Sequence, residues 1–204
     1  PKKSALQKKD TWTLWFKVVV AVMPSAVIGV LLDDWMDEHL YNHVVVAAML
    51  IVYGVAFLLV ERRNAQSDAV VGSLDISYRT AFLMGAFQCL SLVPGTSRSG
   101  ATILGGIFLG LSRSAAAEFS FFMAIPTMLG ASALKLLKFL LEGAVPNGTE
   151  IMVLIVGSVV SFLVSLAVIK GLMEYVRKHS FSAFGVYRII LGIAVLGYFV
   201  ITTM

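Results

Sequence analysis

The sequence predicts an all-α polytopic membrane protein: one integral membrane domain over residues 1–204, with about five transmembrane helices and a re-entrant helical hairpin at about 80–111. Three observations predict this class. The chain is 58% hydrophobic and 14% charged with a mean hydropathy of +0.88, whereas soluble domains run at about 45–50% and about 25%. Apolar stretches recur at the length of roughly 20 residues that a helix needs to cross about 30 Å of hydrocarbon. One further apolar region is broken in its middle by Pro94, Gly95 and an arginine.

Trp12–Leu32, His43–Val60, Ala115–Leu141 and Ile151–Ile169 are near-continuous apolar runs, and Ala183–Thr203 is interrupted by Arg188. Pro24 and Pro126 fall inside two of these spans, which membrane helices tolerate when neighbours satisfy the freed carbonyls. The segments around them, "VAVMPSAVIG" and "FMAIPTMLGA", form a short echo of the kind apolar segments also produce by chance. Between Thr80 and Leu111 the pattern changes. "TAFLMGAFQCLSLV" and "ATILGGIFLGL" are each too short to span, and a polar turn separates them. Two half-length helices around a Pro-Gly break are expected to form a re-entrant hairpin. A continuous helix kinked at Pro94 would hold Arg98 and four hydroxyls near mid-bilayer on one rod, at considerable cost.

Basic residues orient the spans. Lys2, Lys3, Lys8 and Lys9 precede the first; Arg62, Arg63 and Arg79 follow the second; Lys170, Arg177 and Lys178 separate the last two. The positive-inside rule places these segments in the cytoplasm. "DDWMDEHLYNH", without Lys or Arg, and "EGAVPNGTE" are expected as outward loops. The count closes only if the hairpin enters and leaves on the cytoplasmic side, with the C-terminus outside. Lys135 and Lys138 fall on the wrong side, close enough to the interface to snorkel. Asn147-Gly-Thr149 matches a glycosylation sequon and is read instead as a Pro-Asn-Gly turn.

Composition also excludes. A net charge of +4 carried by interhelical loops needs no nucleic acid. A lone Cys89 excludes an internal disulfide and a cysteine-based zinc site. His39 and His43, at an i, i+4 spacing, could serve a metal or sit as interfacial polar residues; no metal ligands are assigned within the chain.

The polar turn carries the chemistry. Gly95-Thr-Ser-Arg-Ser-Gly-Ala-Thr102 has phosphate-loop glycine spacing, but Ala101 stands where the lysine belongs and no strand precedes it, so a nucleotide P-loop is rejected. The underlying physics survives. Gly95 and Gly100 would let main-chain N–H groups converge, and a helix expected to begin near Ala101 would aim its positive end at the turn. Arg98 can hold two phosphate oxygens in a bidentate fork. Thr96, Ser97, Ser99 and Thr102 add hydroxyl donors. Phosphate or pyrophosphate fits this group best; a turn with capping serines and a snorkelling arginine is the alternative.

"PGTSRSGAT", followed by "GLSRSAAAEFSFFMAIPTMLGA" and preceded by "MGAFQCLSLVPG", resembles the second signature region of the bacterial undecaprenyl-diphosphate phosphatase, or bacitracin-resistance, family. The similarity in pattern runs from about Trp12 to the C-terminus. It implies an inner-membrane enzyme that hydrolyses undecaprenyl diphosphate to the monophosphate and inorganic phosphate, recycling the lipid carrier for peptidoglycan synthesis. It also implies two inverted repeats, each with a re-entrant hairpin. The family's first signature, a glutamate-rich stretch ending in Ser-Ser-x-Gly-His, is not found here. "PKKSALQKKD", opening on Pro1, reads like the interior of a longer chain.

On that resemblance Arg98 would neutralise the diphosphate, with Ser97, Ser99 and Thr102 orienting its oxygens and Gly95, Thr96, Gly100 and Ala101 forming the cradle. The nucleophile is either a serine of this turn or a serine or water activated by the His and Glu of the first signature. Mg²⁺ or Ca²⁺ would be held mainly by those glutamates. Gln88 would hydrogen-bond across the hairpin or line the site. Glu118 would pair with Arg98 or Arg113, line the site, or lie at the interface. Arg188 would pair with Glu174 or meet a lipid headgroup. The apolar residues of 119–129 would suit a polyprenyl tail. The partners implied are a polyprenyl diphosphate and membrane lipids, without nucleic acid, and a homodimer is compatible with them. A lipid-phosphate flippase built on the same grip, and an inactive fragment, are the competing readings.

Overall fold

The computed structural model describes residues 5–64, 76–143 and 146–203. Lys2 and Lys3 lie outside the described residues, as do the side chains of Lys8, Lys9, Arg63, Arg177 and Lys178. The described chain is helical throughout: α1 (Ala5–Leu40), α2 (His43–Asn64), α3 (Tyr78–Cys89), a 3₁₀ turn (Leu90–Leu92), α4 (Arg98–Phe108), α5 (Arg113–Leu141), α6 (Gly148–Lys178) and α7 (Ser182–Thr203). Five of these, α1, α2, α5, α6 and α7, are long and apolar enough to cross a membrane.

The hairpin forms as expected from its length. At 1.5 Å per residue, the 12 residues of α3 cover about 18 Å and the 11 of α4 about 16 Å. Each reaches roughly half of a 30 Å hydrocarbon layer. Ser77 starts α3 by accepting from Thr80 N–H at 3.0 Å. Close packing of the hairpin depends on glycine. A Cβ at Gly85 would overlap the Ala21 main chain of α1, and one at Gly105 would overlap the Phe87 side chain across the hairpin. α4 is consequently the most enclosed element, with Gly100–Ile107 all buried between α3, α5 and α2.

One correction concerns the acidic segment expected as an outward loop. Residues 33–40 are the end of α1, and only Tyr41 and Asn42 separate it from α2. The segment contains neither Gly nor Pro, so nothing interrupts the hydrogen-bond ladder as the helix leaves the hydrocarbon. α1 is therefore 36 residues, about 54 Å, and projects beyond the apolar layer. Its Asp34 lies 3.7 Å from Lys138 Nζ near the C-terminal end of α5, so a lysine on the wrong side by charge counting meets a carboxylate there. Asn147 likewise does more than turn: it caps α6 through a reciprocal pair with Glu150, 2.9 Å each way.

At the opposite end, Arg113 at the start of α5 pairs with buried Glu61 at the end of α2. Glu61 Oε2 also accepts from Phe181 N–H at 3.4 Å, just ahead of α7. Three helix ends thus meet on one carboxylate. α6 packs mainly on α5, with Tyr175 near its end against Phe184 of α7, and its apolar flank is exposed along most of its length, as suits a helix face bathed in acyl chains.

Candidate active site

The hairpin tip is a type II turn over Val93–Thr96. Thr96 N–H donates to Val93 O at 3.1 Å, Pro94 takes the second position, and Gly95 has φ +85°. The glycine is required twice, because a Cβ there would also run into the Val46 carbonyl of α2. Ser97 then caps α4: its Oγ accepts from Gly100 N–H at 3.1 Å and lies 3.2 Å from the Ser99 hydroxyl.

That cap moves the helix start. α4 begins at Arg98 rather than near Ala101, because Ser97 Oγ takes the Gly100 N–H and Ser97 O takes the Ala101 N–H at 2.8 Å. The donors that this helix end has left to offer are therefore the first two, those of Arg98 and Ser99. Gly100 and Ala101 are buried; a Cβ on Gly100 would sit 3.3 Å from the Phe57 ring. Their smallness serves packing of the tip rather than exposure of main chain to an anion.

A cavity of about 620 Å³ lies beside the tip. Arg98, Gln88 and Ser91 line it at the hairpin, Ser25 and Thr127 on its α1 and α5 walls, and Asp37 and Tyr41 near the α1–α2 connection. Arg98 Nη1 is buried and meets no acceptor in the protein; the Thr96 hydroxyl is also buried without a partner. A buried guanidinium nitrogen left bare beside a cavity is the arrangement a ligand oxygen would complete.

The other expected site residues are placed as follows. Thr102 is 1% exposed: its hydroxyl lies 3.1 Å from Arg98 O and from Ser99 O and 2.5 Å from Ser120 Oγ of α5. It braces the first turn of α4 from behind rather than facing the cavity. Glu118 is exposed on α5, and Arg113, one partner considered for it, is engaged by Glu61. Arg188 donates to Gly95 O at 2.6 Å instead of reaching Glu174. His39 stacks on Trp35 and His43 on Phe199, on two different helices, and the metal spacing is not realised.

Gln88 bonds in an unexpected direction. Its Nε2 donates to Ser25 Oγ at 2.7 Å and Thr127 Oγ1 at 3.2 Å, reaching α1 and α5 rather than across the hairpin. The Ser25 and Thr127 protons are already given to Val22 O and Met123 O. Both oxygens must accept, which fixes the amide orientation. Ser25 follows Pro24 and Thr127 follows Pro126, so the two arms of the short sequence echo converge on one side chain.

The donor set does not make a divalent-ion site by itself. Among the described residues no three His, Cys, Asp or Glu side chains gather, and Asp37 is the carboxylate at the cavity. Mg²⁺ and Ca²⁺ require six or more oxygen ligands, several of them normally anionic. The described residues do not fit a resident Mg²⁺ or Ca²⁺ unaided.

Residues 1–194 match the family model described as bacitracin resistance protein BacA. The chain is 56% identical over 198 residues to an undecaprenyl-diphosphatase of Latilactobacillus sakei subsp. sakei, covering 97% of this chain and 72% of that protein. It is 57% identical over 196 residues to one from Enterococcus faecalis, covering 96% and 70%. A Streptococcus thermophilus undecaprenyl-diphosphatase is 56% identical over 199 residues, covering 97% and 69%. With a bare arginine at a re-entrant tip and this match along nearly its whole length, the chain belongs to the bacitracin resistance protein BacA family.

Proposed function

We propose that this protein hydrolyses undecaprenyl diphosphate to undecaprenyl phosphate and inorganic phosphate in the bacterial cytoplasmic membrane. That activity recycles the lipid carrier for peptidoglycan synthesis and confers bacitracin resistance. The observation that carries the reading is Arg98, whose buried Nη1 lacks an acceptor at the wall of a cavity within the spans.

In this reading the lipid tail lies along apolar wall residues such as Val22, Met128 and Leu134, and its diphosphate reaches the tip. Arg98 forks onto phosphate oxygens, and the Arg98 and Ser99 N–H groups at the start of α4 add donors backed by the helix dipole. Ser97 and Ser99, 3.2 Å apart, flank Arg98 just outside the cavity wall and reach the same oxygens from the turn. Water adds to the terminal phosphorus, the anhydride P–O bond breaks, and the lipid monophosphate leaves with the bridging oxygen. Charge on the transferring oxygens grows toward donors already in place, the main way phosphoryl transfer is accelerated. Thr102 acts through the first turn of α4, without touching substrate.

Ser97 Oγ meets Gly100 N–H and the Ser99 hydroxyl, neither of which is a base. Proton removal is assigned to the glutamates and histidine that the family resemblance places in the first signature region. Asp37 and Tyr41 mark the cavity's outer end, which the charge count turns away from the cytoplasm, so inorganic phosphate is released outward.

The test is phosphate release from undecaprenyl or farnesyl diphosphate in proteoliposomes by the protein with the first signature region joined to it. Release that depends on the protein is expected. Folded protein that translocates the lipid phosphate without releasing phosphate would establish the flippase reading instead.

A further inference from the structure

Arg188 is the one charge within the apolar run of α7, and the phosphatase chemistry above does not use it. It sits on the face of α7 that packs most tightly on α2. A Cβ on Gly185, three residues before it, would come within 2.8 Å of Gly54 O; one on Gly192, four residues after, within 2.9 Å of Ala47 O. Residues at these spacings share a helix face, so Arg188 emerges from the α2–α7 seam. Its guanidinium carbon lies 5.9 Å from the Tyr53 ring centroid, and Nη2 donates to Gly95 O at 2.6 Å, a contact across 93 residues of sequence.

Gly95 is the weak joint of the tip. With φ +85° and no Cβ, it is the residue whose torsions are least restrained by its own structure. The peptide unit between Gly95 and Thr96 is instead held from both ends. Its N–H donates to Val93 O at 3.1 Å, and its carbonyl accepts from Arg188. The Gly95 Cα is backed by the Val46 main chain. That peptide leads directly into Ser97 and Arg98. Within the bilayer an open carbonyl and an unpaired arginine would each be costly; Gly95 O and Arg188 Nη2 relieve one another, while Arg188 Nε stays buried without a partner.

We infer that Arg188 is a positioning residue for the phosphate-gripping turn: through Gly95 O it sets the peptide plane from which Ser97 and Arg98 project. It does not itself contact the diphosphate. The inference rests on the phosphatase reading for its kinetic consequence and on geometry alone for its conformational one.

Arg188→Lys and Arg188→Met in the full protein, reconstituted in nanodiscs, separate the two. Misplacing a catalytic group by about 1 Å costs about a hundredfold in rate. Arg188→Met is therefore expected to lower kcat for farnesyl diphosphate by about that factor with KM changed much less, and Arg188→Lys, which keeps a cationic donor, to recover most of it. Hydrogen exchange of the peptide covering residues 93–100 is expected to accelerate in Arg188→Met while that of α5 does not. If Arg188→Met fails to fold, Tyr53→Leu, which removes the ring beneath the guanidinium, replaces it and should shift kcat and turn exchange in the same direction.

Wild-type kcat in Arg188→Met, unchanged exchange over 93–100, or Arg188→Lys no better than Arg188→Met would each overturn the inference. If the wild-type protein releases no phosphate, the phosphatase reading fails, and the exchange measurement still decides whether Arg188 holds the turn.

Discussion

Replacing Thr102 with valine keeps its shape and removes one oxygen, which separates bracing from substrate contact. Thr102 Oγ1 lies 3.1 Å from the Arg98 and Ser99 carbonyls and 2.5 Å from Ser120 Oγ. Its single proton goes toward the carbonyls of its own helix, so Ser120 donates to it. Thr102 is 1% exposed and Ser120 2%. Losing one partner of a buried hydrogen bond costs about 1–3 kcal/mol, and measured pair energies in membrane interiors average about 0.6 and reach about 1.7 kcal/mol. Thr102→Val should therefore destabilise by about 1–2 kcal/mol and Ser120→Ala by about 1 kcal/mol, with the double variant falling short of their sum. If that energy holds the first turn of α4 in place, each single variant lowers kcat by about 5–30-fold. A lost direct contact to a transition-state oxygen would cost about 10²–10³-fold. Phosphate release from farnesyl diphosphate, with unfolding in SDS followed by tryptophan fluorescence, reads both quantities. Thr102→Val down more than a hundredfold beside a fully active Ser120→Ala would refute bracing and place Thr102 on the substrate.

Arg98→Lys retains the charge and loses the fork, so one charge-assisted bond worth about 1.5–3 kcal/mol disappears and turnover should fall about 10–150-fold. Arg98→Ala should fall further, and near-normal turnover in either variant would end the phosphate-clamp argument. Glu61→Gln leaves Arg113 facing a neutral amide. Breaking a buried pair costs about 3–5 kcal/mol, and the one-third exposure of Arg113 reduces this to about 2–3 kcal/mol, measurable as a lowered midpoint in SDS or urea. Gly85→Ala forces a methyl into the Ala21 main chain and should destabilise the α1–α3 contact by at least the roughly 1–3 kcal/mol typical of overpacking; a thermal-melt midpoint equal to that of the wild type would contradict the packing described.

The hairpin was legible because its signals are local. Two apolar runs too short to span, divided by Pro94 and Gly95, admit few alternatives when every main-chain group in hydrocarbon must be satisfied. Arg98 was legible because a bidentate cation beside glycine and hydroxyls has few other uses at that depth. The start of α4 was misplaced because Ser97 counted as a ligand donor when its oxygen caps the helix, a choice between two local bonds that composition does not resolve. Gln88 pointed elsewhere because its acceptors, Ser25 and Thr127, lie 63 and 39 residues away. The echo around Pro24 and Pro126 was the available signal for them, and it was too short to rank above chance.

From the sequence by itself came the solvent in which the protein folds, the number of its spans, the break between two half-length helices and a candidate chemistry at that break. These depend on hydropathy, on length against bilayer thickness and on the φ preferences of Pro and Gly, all properties of contiguous residues. Tertiary structure alone decided which polar groups were left over. It set the Thr102 hydroxyl against Ser120, drew the Gln88 amide to Ser25 and Thr127, tied Gly95 O to Arg188, and left Arg98 Nη1 bare beside the cavity. The physical reason is that satisfaction of a buried polar group is settled by whatever packing brings within about 3 Å of it, and in this chain those partners lie on other helices.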